Sequence, residues 1–348
     1  MGKLKVGIIG LGGIADFHSK GILDSADAEI WSISDCNAAL LEKRGKEWNI
    51  PASRMHLDYE LMLQDPELDA VTIGTPNFNH FEIAKLAIAY GKPFALEKPV
   101  ALNAGEAAVL KDMLARNPIP HMICFSYRYK SAVRYAKQLI ESGRLGKILH
   151  VYGQYLQGWA IDEEIPLVWR FRKALTGSGA LGDLGSHMLD LTRFLVGDTR
   201  RVMADAGTIV AERDLPDGSG KGEVDVDDYC HVLSRLEGGV SATMTISRFA
   251  YGRGNDQQIE IYGTQGALIY NLEAQDTLKV KFADEGDMQF REVDMPDECR
   301  MGQMQAFFDL VNGRGDGNNA TIEDGYANQL AVDAIIQSFT EQKWISVE

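Results

Sequence analysis

The stretch KVGIIGLGGIA, residues 5–15, constrains the fold more than any other part of the chain. A short apolar strand ends in glycines and gives way at once to a helix, so Gly10, Gly12 and Ala15 form a G-x-G-x-x-A turn in its proper strand-to-helix setting. Gly10 permits the tight turn, Gly12 lets the main chain approach a pyrophosphate, and Ala15 allows close helix–sheet packing. Gly13 and Ile14 open the helix, whose N-terminus offers amides and partial positive charge to an anion. The alternation continues with strands at 28–35, 69–76, 93–99 and 121–126 and helices at 37–47 and 81–91, the latter closed by Gly91, with one more helix before residue 121. Short apolar strands alternating with helices predict an α/β domain, a parallel sheet covered on both faces, over residues 1–123.

The second strand ends in Asp35, followed by Cys36 and Asn37 rather than by an arginine. A carboxylate there accepts hydrogen bonds from adenosine ribose hydroxyls and repels a 2′-phosphate, so NAD is favoured over NADP. Thr75, Pro76, Asn77 and His80 lie in GTPNFNH, residues 74–80, at the end of a later strand on the same sheet edge. Ligands of such sheets bind outside the carboxyl ends of the strands. Lys98, between Glu97 and Pro99, closes the next strand, a position from which a lysine points into the cleft.

With 348 residues the chain exceeds what one core usually holds, and two domains are expected. The formal charge of −15 argues against nucleic acid and anionic membrane as partners, both of which select basic faces. No apolar run approaches the roughly 18 residues of a membrane span. The four cysteines, Cys36, Cys124, Cys230 and Cys299, lack any paired spacing, so reduced thiols and the cytoplasm are expected.

Beyond residue 124 the texture changes, and residues 124–348 read as one α+β domain with a large, mainly antiparallel open sheet. A helix at 131–143 leads into the strand GKILHVYGQYLQG and a helix at 183–196. Strand-like runs follow to about residue 293, with hairpins turning at Glu237–Gly239 and near Gly263–Gly266, and 214–225 reads as a mobile hairpin loop. Helices at 302–312 and 324–340 finish the chain.

In GSGALGDLGSHMLD, residues 177–190, Asp183, His187 and Asp190 fall at i, i+4 and i+7, one narrow helical stripe. Leu184, Met188, Leu191 and Leu195 form an apolar stripe turned by about 100°, so the polar stripe borders a buried surface. Capping by Asp183 would explain part of this, and three such ligands could hold a divalent ion; no Cys/His cluster supports a metal, and none is expected. Tyr127, Arg128 and Tyr155 are candidates for a sugar-binding wall, with core packing as the competing role for each.

The glycine loop, GTPNFNH, EKPVALN, FSYRY, WRFRKALTGSGALGDLGSHMLDL and GTQGAL occur in the order found in the Gfo/Idh/MocA oxidoreductases, which the chain resembles over nearly its whole length. The resemblance implies a Rossmann domain followed by a domain whose open sheet mediates homodimer or homotetramer assembly. It places Lys98, Asp183 and His187 at catalytic positions and Asn77 and His80 in the cofactor loop, with Glu97, Lys98, Trp169 and Arg170 lining the nicotinamide side. The function it implies is hydride transfer between NAD and a secondary ring hydroxyl of a sugar, glycoside or cyclitol. His187 would take the hydroxyl proton, Asp183 would orient the ring or bind substrate, and Lys98 would stabilise developing alkoxide charge. An NAD-dependent glycosidase and a non-catalytic NAD-binding protein are the alternatives. VDVDDY and SRFAYGRGN are similar to sugar- and glycoside-oxidising members as much as to cyclitol ones.

Overall fold

A computed structural model describes residues 2–348, which divide into two compact units: residues 2–125 with 301–326, and residues 126–300 with 327–348. In the first unit, strands β1 (Leu4–Ile9), β2 (Ala28–Ser34), β3 (Met55–His56), β4 (Ala70–Ile73), β5 (Phe94–Leu96) and β6 (His121–Ile123) form one parallel sheet in the order β3-β2-β1-β4-β5-β6. Helices α1 (Gly13–Leu23), α2 (Ala38–Glu47), α3 (Tyr59–Leu63), α4 (His80–Ala89) and α5 (Ala104–Arg116) connect or follow them. Val71, Ile73, Phe94 and Leu96 are fully buried, as parallel strands covered on both faces require, and they pack with Ile83 and Ala87 of α4 and Leu110 of α5. The reversal of strand order between β1 and β4 is the switch point at which such sheets take ligands.

Residues 301–326, which the sequence reading leaves in the second domain, belong to this first unit. The helix Gln303–Val311 packs on α1, and the Ile123 amide donates to the Ala320 carbonyl at 2.8 Å. A return from such a distance in sequence leaves no local signal, because the contacts that hold it are all long-range.

In the second unit, helix α6 (Ser131–Glu141), strand β7 (Ile148–Leu156), the short helix α7 (Lys173–Thr176) and helix α8 (Ser186–Leu195) precede the strand region. It comprises β8 (Thr199–Gly207), β9 (Glu212–Asp214), β10 (Lys221–Glu223), β11 (Tyr229–Leu236), β12 (Ser241–Ser247), β13 (Asp256–Gly263), β14 (Gly266–Asn271), β15 (Thr277–Phe282) and β16 (Arg291–Glu292). With β17 (Ile345–Ser346) these give a nine-stranded sheet in the order β16-β15-β14-β13-β7-β12-β11-β8-β17, antiparallel except for β7 against β12. Burial alternates strictly along β11, so one face carries Val232 and Leu236 into the core with α6 and α8 while Leu233 stays half exposed on the other.

The hairpin loop expected at 214–225 is the β9–β10 hairpin, whose strands pair Glu212–Asp214 with Lys221–Glu223. Arg213, 1% exposed, donates to the carbonyls of Ala160, Asp162 and Ile165, and Leu167, Phe171, Val224 and Val226 form a small apolar cluster around it. The Gly- and Asp-rich composition identifies the turn but not the buried arginine that anchors its first strand. No described helix is long and apolar enough to cross a membrane.

Candidate functional site

The phosphate-loop half lies in the first unit. Gly10 has φ +87°, and a Cβ there would stand 2.8 Å from the Gly74 carbonyl and the Thr75 nitrogen. The turn therefore needs glycine both for its left-handed backbone and for the approach of the loop after β4. At Gly12 and Gly13 a Cβ would meet nothing within 4 Å. These two glycines are not demanded by packing, and the space they leave fits a phosphate group over the uncapped start of α1. Thr75 Oγ1, buried without a hydrogen-bond partner among the described residues, is a second sign that this edge is shaped for a polar ligand.

Asp35 is half exposed at the end of β2. One carboxylate oxygen accepts from the Leu11 amide and the other from the Asn37 amide, both at 2.8 Å. The side chain thus ties the glycine loop to the strand, and each carboxylate oxygen has capacity to accept a further hydrogen bond. Replacing Asp35 with Ser together with Cys36 with Arg is expected to raise Kd for NAD by about tenfold and reverse the preference toward NADP. Fluorescence titration with both cofactors reads this, and an intact NAD preference would locate the discrimination elsewhere.

Two residues expected near the cofactor, His80 and Glu97, are buried. His80 is buried, with Nδ1 2.7 Å from the Pro99 carbonyl and Nε2 2.9 Å from the Thr75 carbonyl, so it clamps the loop after β4 to the loop after β5. Burial holds this imidazole below its ordinary pKa, against the pull of the two carbonyls and of Glu97. Glu97 is 8% exposed, its carboxylate 3.1 Å from His18 Nε2. Donor atoms of His18, Glu97 and Cys124 lie within 4.8 Å of one another, spacing that a metal would accept. Burial and the neighbouring Glu97 push the Cys124 thiol well above its ordinary pKa. Lys98, half buried, follows Glu97 immediately, and its positive charge is felt at His80. Pro76 and Asn77 are half exposed on the loop.

Asp183 and His187 belong to the second unit. Asp183 lies in a π-helical turn, Leu181–Gly185, that runs directly into α8. Single π turns inside helices recur at functional sites. Asp227 holds this turn in place, accepting from the Gly179 amide at 2.6 Å and the Leu181 amide at 2.7 Å. A Cβ on Gly179 would come within 1.9 Å of the Asp227 carbonyl oxygen, so only glycine admits the contact. Burial raises the Asp227 carboxyl, and the two amides partly offset this. The apolar stripe of Leu184, Met188, Leu191 and Leu195 is buried as its spacing predicts.

His187, 7% exposed, sits between two tyrosine rings, with centroids 4.6 Å from Tyr127 and 6.2 Å from Tyr155. The two phenol oxygens are hydrogen-bonded to each other. Asn255 joins both, accepting from Tyr155 at 2.7 Å and donating to Tyr127 at 3.1 Å, while Gln157 donates to Asn255 at 2.8 Å. Burial first, then the Tyr127 and Asp183 neighbours, push the Tyr155 phenol far up, so it stays neutral.

Arg128, expected on the substrate wall, is instead a buried brace. Its Nε and Nη2 grip the two oxygens of Asp190, 2.9 Å and 2.5 Å away, with side chains 4% and 1% exposed. The same pair assigns Asp190 to the interior of the helix packing. Trp169 and Arg170 lie on a turn at Trp169–Phe171, the guanidinium 4.5 Å over the indole. The residues that sequence reasoning missed are Arg248, Asn255, Gln157 and Asp227. VDVDDY and SRFAYGRGN contain three of them, but no periodicity distinguishes a site residue from a turn residue there.

Comparison with known proteins agrees with the two-part fold. The family model described as an oxidoreductase family with an NAD-binding Rossmann fold matches residues 4–123, and the GFO/IDH/MocA C-terminal domain matches residues 133–269. Levoglucosan dehydrogenase of Pseudarthrobacter phenanthrenivorans is 33% identical, covering 100% of this chain and 99% of its own. Its solved complex with NADH superposes with a TM-score of 0.92 at 34% identity, covering 99% of each chain. Inositol 2-dehydrogenase of Rhizobium meliloti is 22% identical over 99% of both chains.

Proposed function

The chain belongs to the Gfo/Idh/MocA oxidoreductases, and from that premise we propose that it oxidises a secondary ring hydroxyl of an uncharged sugar or anhydrosugar with NAD. The observation that carries the reading is the setting of His187: a nearly buried imidazole between two tyrosines joined to Asn255 and Gln157, on the segment that also carries Asp183. This wall offers neutral donors and acceptors, which suit hydroxyl groups. The nearby arginines Arg128 and Arg248 face carboxylates, so a sugar phosphate finds no free guanidinium among them. Full-length similarity to a levoglucosan dehydrogenase points the same way.

NAD, when bound, supplies the hydride acceptor. Lys98 donates a hydrogen bond to the reacting oxygen and stabilises it as alkoxide character develops. His187 takes the hydroxyl proton, and Asp183 orients the substrate hydroxyl or the ring. The cofactor contacts are Gly10, Gly12, Gly13, Ile14, Asp35, Thr75, Pro76 and Asn77. Tyr127 and Tyr155 belong to the sugar wall.

An NAD-reduction screen over anhydrosugars, hexoses, glycosides, inositols and sugar phosphates, repeated with NADP, tests this. The expected result is NADH formation with an uncharged sugar, and at least tenfold weaker turnover with phosphates. NADH from inositols alone would move the substrate class, and aglycone release without NADH accumulation would make the protein a redox glycosidase. All four cysteines are free, which fits a cytoplasmic enzyme. Assembly into a homodimer or homotetramer through the open sheet face, where Tyr152 and Leu233 are about half exposed, is part of the proposal, and light scattering on the purified chain measures it.

A further inference from the structure

We infer that Arg248 is a positioning residue: its buried guanidinium holds the Asp183 carboxylate in place and offsets its charge, and so tunes the imidazole of His187. The inference rests on the functional reading of Asp183 and His187 given above and deepens it.

Three arginines of the second unit are almost fully buried, and their partners differ in kind. Arg213 donates to three main-chain carbonyls at 2.6–3.1 Å, the pattern of a loop brace. Arg128 makes a short, two-pronged pair with Asp190. Arg248, one residue beyond β12 and 1% exposed, has neither arrangement. Its Nη2 stands 3.4 Å from Asp183 Oδ2, and its Nη1 stands 3.4 Å from the Arg170 carbonyl. Its Nε is buried without a partner among the described residues, and its plane lies 5.3 Å from the Trp159 ring. At this length the contacts act through charge more than through a directed hydrogen bond. A buried cation so loosely bonded is held by charge, and two carboxylates supply it: Asp183, and Asp227, whose carboxyl feels the guanidinium.

The arrangement suits a working carboxylate. Asp183 keeps 29% of its side chain exposed, and one of its oxygens faces the buried guanidinium. An uncompensated Asp183 would stabilise the imidazolium of His187 and raise its basicity; the guanidinium cancels part of that field. The other charged and titratable groups of the second unit named above have roles of their own. Arg128 and Asp190 neutralise each other, Asp227 is occupied by two amides, Tyr155 stays a phenol and Tyr127 approaches His187 as a ring.

The test compares Arg248→Gln and Arg248→Lys with the wild type. NMR titration of the His187 imidazole, assigned by its loss in His187→Asn, is run on each in the NAD complex, beside pH profiles of kcat/KM. In Arg248→Gln the His187 titration and the acid limb are expected to move up by about 0.5–1 pH unit. Its kcat should fall by about 10–100-fold with the Kd for NAD within about twofold of wild type. Arg248→Lys, which keeps the charge, should stay near the wild-type titration and recover most of the loss. Equal titrations in the Gln and Lys variants would overturn the inference, because a purely structural arginine predicts that pattern. If Arg248→Gln does not fold, Arg248→Met takes its place with the same expected upward shift, and a titration equal to that of Arg248→Lys again overturns the inference. Absence of turnover on every sugar, with the NMR shift present, would sink the functional reading and leave Arg248 as the tuning charge.

Discussion

Replacing Lys98 with Met is expected to lower kcat by about 10²–10³-fold while leaving the Kd for NAD within about twofold. Met keeps the length and apolar stem of the lysine and removes only the ammonium. That group follows β5 directly, on the carboxyl edge of the parallel sheet where ligands bind, beside the buried Glu97. A hydrogen bond that strengthens as the hydroxyl becomes an alkoxide acts on the transition state more than on bound substrate, so the loss should appear in kcat and leave KM for the sugar nearly level. Steady-state kinetics with a cofactor titration separate the two. Wild-type turnover in the Met variant would remove Lys98 from the reaction, and a large loss of NAD affinity would show that it binds cofactor rather than assists chemistry.

Replacing His187 with Ala should cost about 10²–10⁴-fold in turnover and flatten the acid limb of the pH profile. The sign follows from the role. A base must be unprotonated to accept the hydroxyl proton, so the rate falls as pH drops through its pKa, and without the imidazole that fall disappears. Because the ring is nearly buried between Tyr127 and Tyr155, Ala also leaves a void, and His187→Asn, closer in volume, guards against collapse of the wall. Asp183→Asn should lower the rate but keep the limb, since the titrating group remains. An unaltered limb in both His187 variants would exclude this imidazole as the base.

The glycine loop was legible because its requirements are local. A strand, a glycine at positive φ and a helix start follow one another within a few residues, and Gly10 shows that geometry. The helical stripe at Leu184–Leu195 was legible for the same reason, although the π turn at Leu181–Gly185 was not, since it depends on Asp227 reaching back to the Gly179 and Leu181 amides. The polar residues were harder to read. His80 and Arg128 occupy motif positions that suggest ligand contact, yet each is buried against partners from another loop or helix. Burial turns a polar residue into a brace, and burial is not written in the residue itself.

The order of elements, the parallel sheet with its glycine turn and the mainly antiparallel second sheet were determined by the sequence itself, through periodicity and turn chemistry acting over a handful of residues. Which polar side chains stay available and which are consumed as braces was decided only by the tertiary structure. The deciding contacts join residues 19 apart for His80 and Pro99, 62 apart for Arg128 and Asp190, and 65 apart for Asp183 and Arg248. A charge takes its role from the partner that folding brings within a few ångströms, and no local pattern encodes that partner.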